Sequence, residues 1–83
     1  MLNMQSVVRR IKDVLIDEYK INVLDKNVAH ELGLTATALS SQKSRDLIPY
    51  DALAMFCIRR KVSVNWLFFG VGNMEMDYAK KNL

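Results

Sequence analysis

The stretch His30-Glu31-Leu32-Gly33-Leu34-Thr35-Ala36-Thr37-Ala38-Leu39-Ser40-Ser41-Gln42-Lys43 sets the reading of the whole chain. A helical apolar pattern runs up to Gly33, breaks for three residues, and resumes in phase after Thr35. Thr35 is a natural helix N-cap, and Gly33 can adopt the left-handed conformation that ends a helix. The spacing therefore predicts two short helices joined by a tight turn. Val28, Leu32, Leu34 and Leu39 bury their crossing, and Ala29 is small enough to let them approach. The side chains left outside on the later helix are short and hydrogen-bonding.

Outward from this stretch the chain reads as helices only. Val7, Val8, Ile11, Val14, Leu15 and Tyr19 recur at helical spacing, with Arg9, Arg10, Lys12, Asp13 and Asp17 between them. They predict an amphipathic first helix over residues 5–19. Residues 20–24 form a connector, and Asp25 is the expected N-cap of a second helix ending at Gly33. The third helix runs from Thr35 to about Ser44, and residues 45–48 form a loop. Pro49 opens a fourth helix, where its missing N–H costs nothing; Tyr50, Leu53, Ala54, Cys57 and Ile58 are its expected inward stripe. Ser63 caps a short fifth helix over residues 64–69, closed by Gly70 and Gly72. Eighty-three residues allow one domain, here all-α with five helices over residues 1–72 and a short C-terminal tail over 73–83.

Composition narrows the function classes. The single cysteine, Cys57, lies in an apolar run and reads as a buried thiol, which suits a reducing cytoplasm. Neither a secretory signal nor a run long enough to span a membrane is present. One His and one Cys cannot assemble a zinc site, and His30 falls on an exposed helix side. No nucleophile–base pair or glycine-rich phosphate loop stands out, so an enzyme is not expected, nor a metal, cofactor or small-molecule ligand. The net charge is +3, and the whole excess falls in residues 35–72, which hold Lys43, Arg45, Arg59, Arg60 and Lys61 against Asp46 and Asp51. That bias is compatible with nucleic acid, as is a solvated basic face. The Arg59-Arg60-Lys61 run reads as a solvated helix end complementing the dipole.

Two helices joined by a glycine turn match the helix-turn-helix of DNA-binding proteins, although an ordinary helical hairpin would show the same Ala-x-x-x-Gly spacing. More of the chain bears on the choice. Val28-Ala29-His30-Glu31-Leu32-Gly33-Leu34, Thr37-Ala38-Leu39-Ser40, Ile48-Pro49-Tyr50-Asp51-Ala52-Leu53 and Val62-Ser63-Val64-Asn65-Trp66-Leu67, followed by Gly70 and Gly72, occur in this order. From Val7 to Gly72 the sequence resembles the helix-turn-helix domain of the phage CI repressor family, a branch of the lambda-repressor-like fold. The resemblance implies a sequence-specific double-stranded DNA-binding regulator, a repressor acting as a homodimer. It implies that Thr35, Ala36, Thr37, Ser40, Ser41 and Ser44 face the major groove. It places Lys43 and Arg45 within reach of phosphates, and Lys26 and Asn27 near the DNA backbone, with Lys26 the foremost phosphate contact.

The chain also departs from that pattern. Gln42 stands where the family usually has tryptophan or another apolar residue, which predicts looser packing or one more base reader. Ala36 replaces a common long polar reader. Phe69 and Val71 replace polar residues. The domain's greasy end, Phe68, Phe69, Val71, Met74, Met76 and Tyr78, is the expected dimer interface, unless the tail folds back over it. Longer family members carry a C-terminal dimerisation domain that this chain does not reach. The alternative reading is a protein-interaction module of the same fold without tight DNA binding.

Overall fold

Asn3 accepts the Ser6 amide through its side chain (2.9 Å) and opens the first helix, α1 (Met4–Tyr19). In the computed structural model, which describes residues 1–20 and 22–76, four more helices follow: α2 (Asp25–Glu31), α3 (Ala36–Arg45), α4 (Tyr50–Arg60) and α5 (Val64–Phe69). Among the described residues no strand forms beyond one isolated antiparallel bridge, Val62 to Glu75. The fold is all-α, as the periodicity predicts.

Helix α1 packs against α2, α3 and α5, and α4 packs against α5. Met4, Val7, Ile11 and Leu15 of α1 are fully buried, with Val28, Leu39, Leu53, Phe56 and Leu67 beside them in one core. Each such side chain contributes about 1.5–3 kcal/mol by leaving water. Three hydrogen bonds hold α1 to its neighbours, one at its start and two from its middle. The Met4 N–H donates to Asp46 Oδ1 (2.8 Å), so the residue ending α3 also caps α1. Arg10 Nη1 donates to the carbonyls of Leu67 (2.8 Å) and Phe68 (3.3 Å), satisfying the open C-terminal end of α5.

The link between α2 and α3 is built as the glycine suggests. Gly33 has φ +71°; its N–H donates to His30 O (3.1 Å), and the Leu34 N–H reaches back to Ala29 O (2.8 Å). These two bonds are the Schellman pair, which requires a left-handed residue at Gly33. Thr35 then caps α3, its Oγ1 accepting the Ala38 amide at 3.0 Å. The chain turns within residues 32–35, so the exposed face of α3 is fixed relative to α2.

Two expectations are corrected. Asp25 is the first residue of α2, not its cap; Asn27 Oδ1 accepts the Leu24 N–H (2.9 Å) and takes the capping role. On α4 the inward residues are Leu53, Phe56 and Cys57, while Tyr50 (59 % exposed), Ala54 and Ile58 (61 % exposed) face solvent. Residues 52–58 are apolar at every position, so periodicity does not fix which side turns in, and the larger Phe56 takes the core. Beyond α5 the chain runs back beside the start of that helix, where the Ser63 N–H donates to Met74 O (2.7 Å) and the Met76 N–H to Lys61 O (3.0 Å), while Phe69, Val71 and Met74 stay exposed. Tyr78 lies outside the described residues.

A Cβ added at Gly33 would meet nothing within 4 Å, so substitution there tests backbone conformation alone. Gly33→Ala should lower stability in urea unfolding by about 1 kcal/mol, and Gly33→Asn by less, since asparagine tolerates the left-handed region. Equal stability of all three chains would show that the turn does not need this conformation.

Candidate nucleic-acid interface

Along α3 the exposed positions are 36, 37, 40, 41, 44 and 45, while Leu39 is buried and Ala38, Gln42 and Lys43 are half-buried. Ala36, Thr37, Ser40, Ser41 and Ser44 line one open concavity. The structure thus brings together five of the six residues expected to read bases. The sixth, Thr35, is exposed at the edge with its oxygen engaged in capping Ala38. No side chain on this face is longer than threonine until Arg45. The backbone of α3 is therefore the nearest scaffold to anything docked there, and four hydroxyls from Thr37, Ser40, Ser41 and Ser44 are offered from it.

The cations are arranged less simply than their spacing suggests. Lys43 Nζ lies 2.6 Å from Asp25 Oδ2, and Lys12 Nζ lies 2.7 Å from Asp25 Oδ1. One carboxylate therefore joins α1, α2 and α3, and the hydrogen bond from Lys12, followed by that from Lys43, holds its proton affinity below the usual carboxylate range. Lys26 and Arg45 are exposed and form no ion pair among the described residues. Asn27, half-buried, is occupied as the cap of α2.

The basic run at the end of α4 is only partly a solvated helix end: Arg59 and Lys61 are exposed and Arg60 is half-buried. Arg60 makes a two-pronged contact with Glu31, Nε to Oε2 at 2.9 Å and Nη2 to Oε1 at 2.8 Å, and also reaches Glu18 Oε2 at 2.8 Å. Arg59 Nη2 donates to the Glu31 carbonyl at 2.7 Å, at the C-terminal end of α2. The Arg60 hydrogen bond holds the Glu31 carboxyl low, and the same pairing raises the Arg60 guanidinium above its ordinary value. Only Lys61 of the three remains exposed without an ion pair among the described residues.

Gln42 points inward rather than towards a groove. Its Oε1 is buried and has no hydrogen-bond partner, at a position where an apolar side chain would leave nothing unsatisfied. His30 is exposed, and Cys57 is buried, with its thiol pushed up by burial. At the other end of the domain Phe68 is half-buried against Tyr50 (ring centroids 6.1 Å apart), whereas Phe69, Val71 and Met74 are exposed and Met76 is half-buried. No helix among the described residues is long and apolar enough to cross a membrane.

The Asp25 and Glu31 ion pairs join residues 13 to 29 apart in the chain, and no local pattern announces them. The chain matches no protein-family model, no curated protein and no solved structure.

Two stability measurements follow from this geometry. Both Asp25 and Glu31 have folded proton affinities below their unfolded ones, so their contribution is complete above the ordinary carboxylate values of about 3.9 and 4.3 and is lost as pH falls through the lower folded values. Replacing both, Asp25→Asn with Glu31→Gln, should flatten the acid side of a stability–pH curve; an unchanged slope below pH about 5 would exclude the two pairs as its source. Gln42→Leu should raise stability by about 1 kcal/mol in thermal or urea unfolding, by removing the unpartnered oxygen. A loss of stability would mean that the amide is satisfied in solution.

Proposed function

We propose that this chain is a sequence-specific double-stranded DNA-binding transcription regulator of the helix-turn-helix type, with α2 and α3 as the paired helices and α3 in the major groove. The observation that carries the reading is the exposed face of α3. It follows a left-handed glycine turn and holds only Ala, Thr and Ser, with Lys26 and Arg45 exposed on the two helices. A helix without long side chains on one face can place its backbone deep against base edges while still offering donors and acceptors. Exposed cations beside such a face serve phosphates, which carry affinity but little sequence information. The resemblance to the phage CI repressor family supports the same assignment and adds repression as the regulatory sense.

The chemistry divides accordingly. Thr37, Ser40, Ser41 and Ser44 hydroxyls hydrogen-bond to base edges, and the Ala36 methyl makes apolar contact, for which a thymine methyl is the matching group. Lys26 and Arg45 hold phosphates and set the register. Lys43 is shared: in the free protein its ammonium is on Asp25, so a phosphate must compete with that carboxylate for it. A single head covers few base pairs, and two heads on half-sites about one DNA turn apart would supply useful affinity. The same five helices kept as a protein-interaction module form the second reading, favoured by the outward apolar side of α4 and by the internal pairing of Lys43, Arg59 and Arg60.

Fluorescence anisotropy against duplexes from the DNA upstream of the coding sequence, at several salt concentrations, separates the two readings. Ser40→Ala or Ser41→Ala should weaken the preferred duplex by about 1–3 kcal/mol while leaving unrelated duplexes nearly unchanged. Arg45→Ala should weaken all duplexes alike and lower the salt slope by about one. Asp25→Asn, which releases Lys43, should act in the opposite direction and strengthen binding to every duplex. If no upstream duplex binds more tightly than random sequence, the interaction-module reading takes over.

A further inference from the structure

Helix α4 is apolar on two sides. Leu53, Phe56 and Cys57 fill the core, yet the opposite side carries Tyr50, Ala54, Met55 and Ile58, of which Tyr50, Met55 and Ile58 are 59 %, 51 % and 61 % exposed. A contiguous apolar strip on so small a domain marks a partner site, and its charges indicate which partner. Asp51 lies on the same outward side near the start of the helix, and Arg59 lies two turns further on. Eight residues separate them, about 12 Å along the axis. Met55 is midway, four residues from each. A helix face with one anion, one cation and an apolar centre at equal spacing is complementary to itself when turned end for end.

We propose that α4 pairs with α4 of a second copy of this chain, antiparallel and about a two-fold axis passing beside Met55. In that arrangement Asp51 of each chain stands level with Arg59 of the other, and the symmetry makes the contact twice. Ala54, the smallest side chain on the strip, lets the axes approach to the usual 8–10 Å or so. Met55 packs on its own symmetry mate, and Ile58 fills the space beside it. Arg59 can take part: its side chain is 45 % exposed, and its contacts with Glu31, a bond to the carbonyl (2.7 Å) and a looser approach to the carboxylate (3.9 Å), both use only Nη2. The remaining N–H groups can meet a carboxylate. Phe69, Val71 and Met74 at the domain's other apolar end carry no such matched pair of charges. The pairing does not depend on DNA binding, and its test uses no DNA.

Sedimentation equilibrium of the full chain, with circular dichroism to verify folding, reads it. The parent should dimerise, and Met55→Asp, at an exposed position outside the buried core and the ion pairs, should leave a folded monomer. Asp51→Arg alone should weaken the dimer about tenfold or more, because each contact becomes Arg against Arg; Arg59→Asp alone should do the same through Asp against Asp. An equimolar mixture of these two variants should restore association, since both contacts in the mixed pair are again opposite in sign. A parent that stays monomeric at high micromolar concentration, a dimer indifferent to Met55→Asp, or a mixture no tighter than its separate components would each overturn the proposal. A species larger than a dimer would also overturn it, since a two-fold contact closes on itself.

Discussion

The left-handed residue at Gly33 governs how much of the rest is arranged. Its φ of +71° allows the amides of Gly33 and Leu34 to return to the carbonyls of His30 and Ala29, which closes α2 and turns the chain within residues 32–35. Leu34 and Leu39 are thereby carried inward, and the Ser/Thr side of α3 is left outside. Burial of Val28, Ala29 and Leu39 holds the crossing, and the carboxylate of Asp25, gripped by Lys12 and Lys43, fastens these two helices and α1 from the solvent side. The exposed face of α3 is a consequence of this joint.

The electrostatics are more internal than a net charge of +3 suggests. Lys12, Lys43, Arg59 and Arg60 are all hydrogen-bonded or ion-paired within the chain, and Arg10 serves the carbonyls of α5. Arg60 with Glu31 is the best shielded of these pairs, since the Glu31 side chain is only 12 % exposed, and it ties the end of α4 to the end of α2. Pairs of this kind fix relative positions and are screened less by salt than open surface pairs. For the proposed DNA reading, the consequence is a modest attraction shared by few cations, in which discrimination rests on close approach by short side chains. For a protein-interaction role, the same arrangement means a surface that does not attract nucleic acid strongly.

Much of this was legible in the residues. Thr35 and Ser63 are caps in the structure as their types predict, with their side-chain oxygens on Ala38 and Trp66, and the bounds of α1, α3 and α5 lie within a residue of those read from periodicity. The outward set on α3 was legible because its inward positions are apolar or long and its outward ones are Ser and Thr. The rotation of α4 was not, because residues 52–58 are apolar throughout, and the structure turns Phe56 and Cys57 in and Met55 and Ile58 out. Met4, which begins α1 a residue earlier than expected, is fully buried where the pattern offered no preceding turn to compare. The ion pairs of Asp25 and Glu31 join distant parts of the chain, so no spacing rule reaches them. Gln42 was open to two readings, and only its buried oxygen shows that it turns inward.

The most direct measurement is an amide chemical-shift titration of the labelled protein with a duplex from the DNA upstream of its coding sequence. The proposed reading predicts saturable shifts concentrated on residues 35–45 and at the start of α2 around Lys26, with the α4 strip around Met55 unmoved by added duplex. Shifts confined to α4 and α5, or no shifts on α3 at any ratio of duplex to protein, would contradict it.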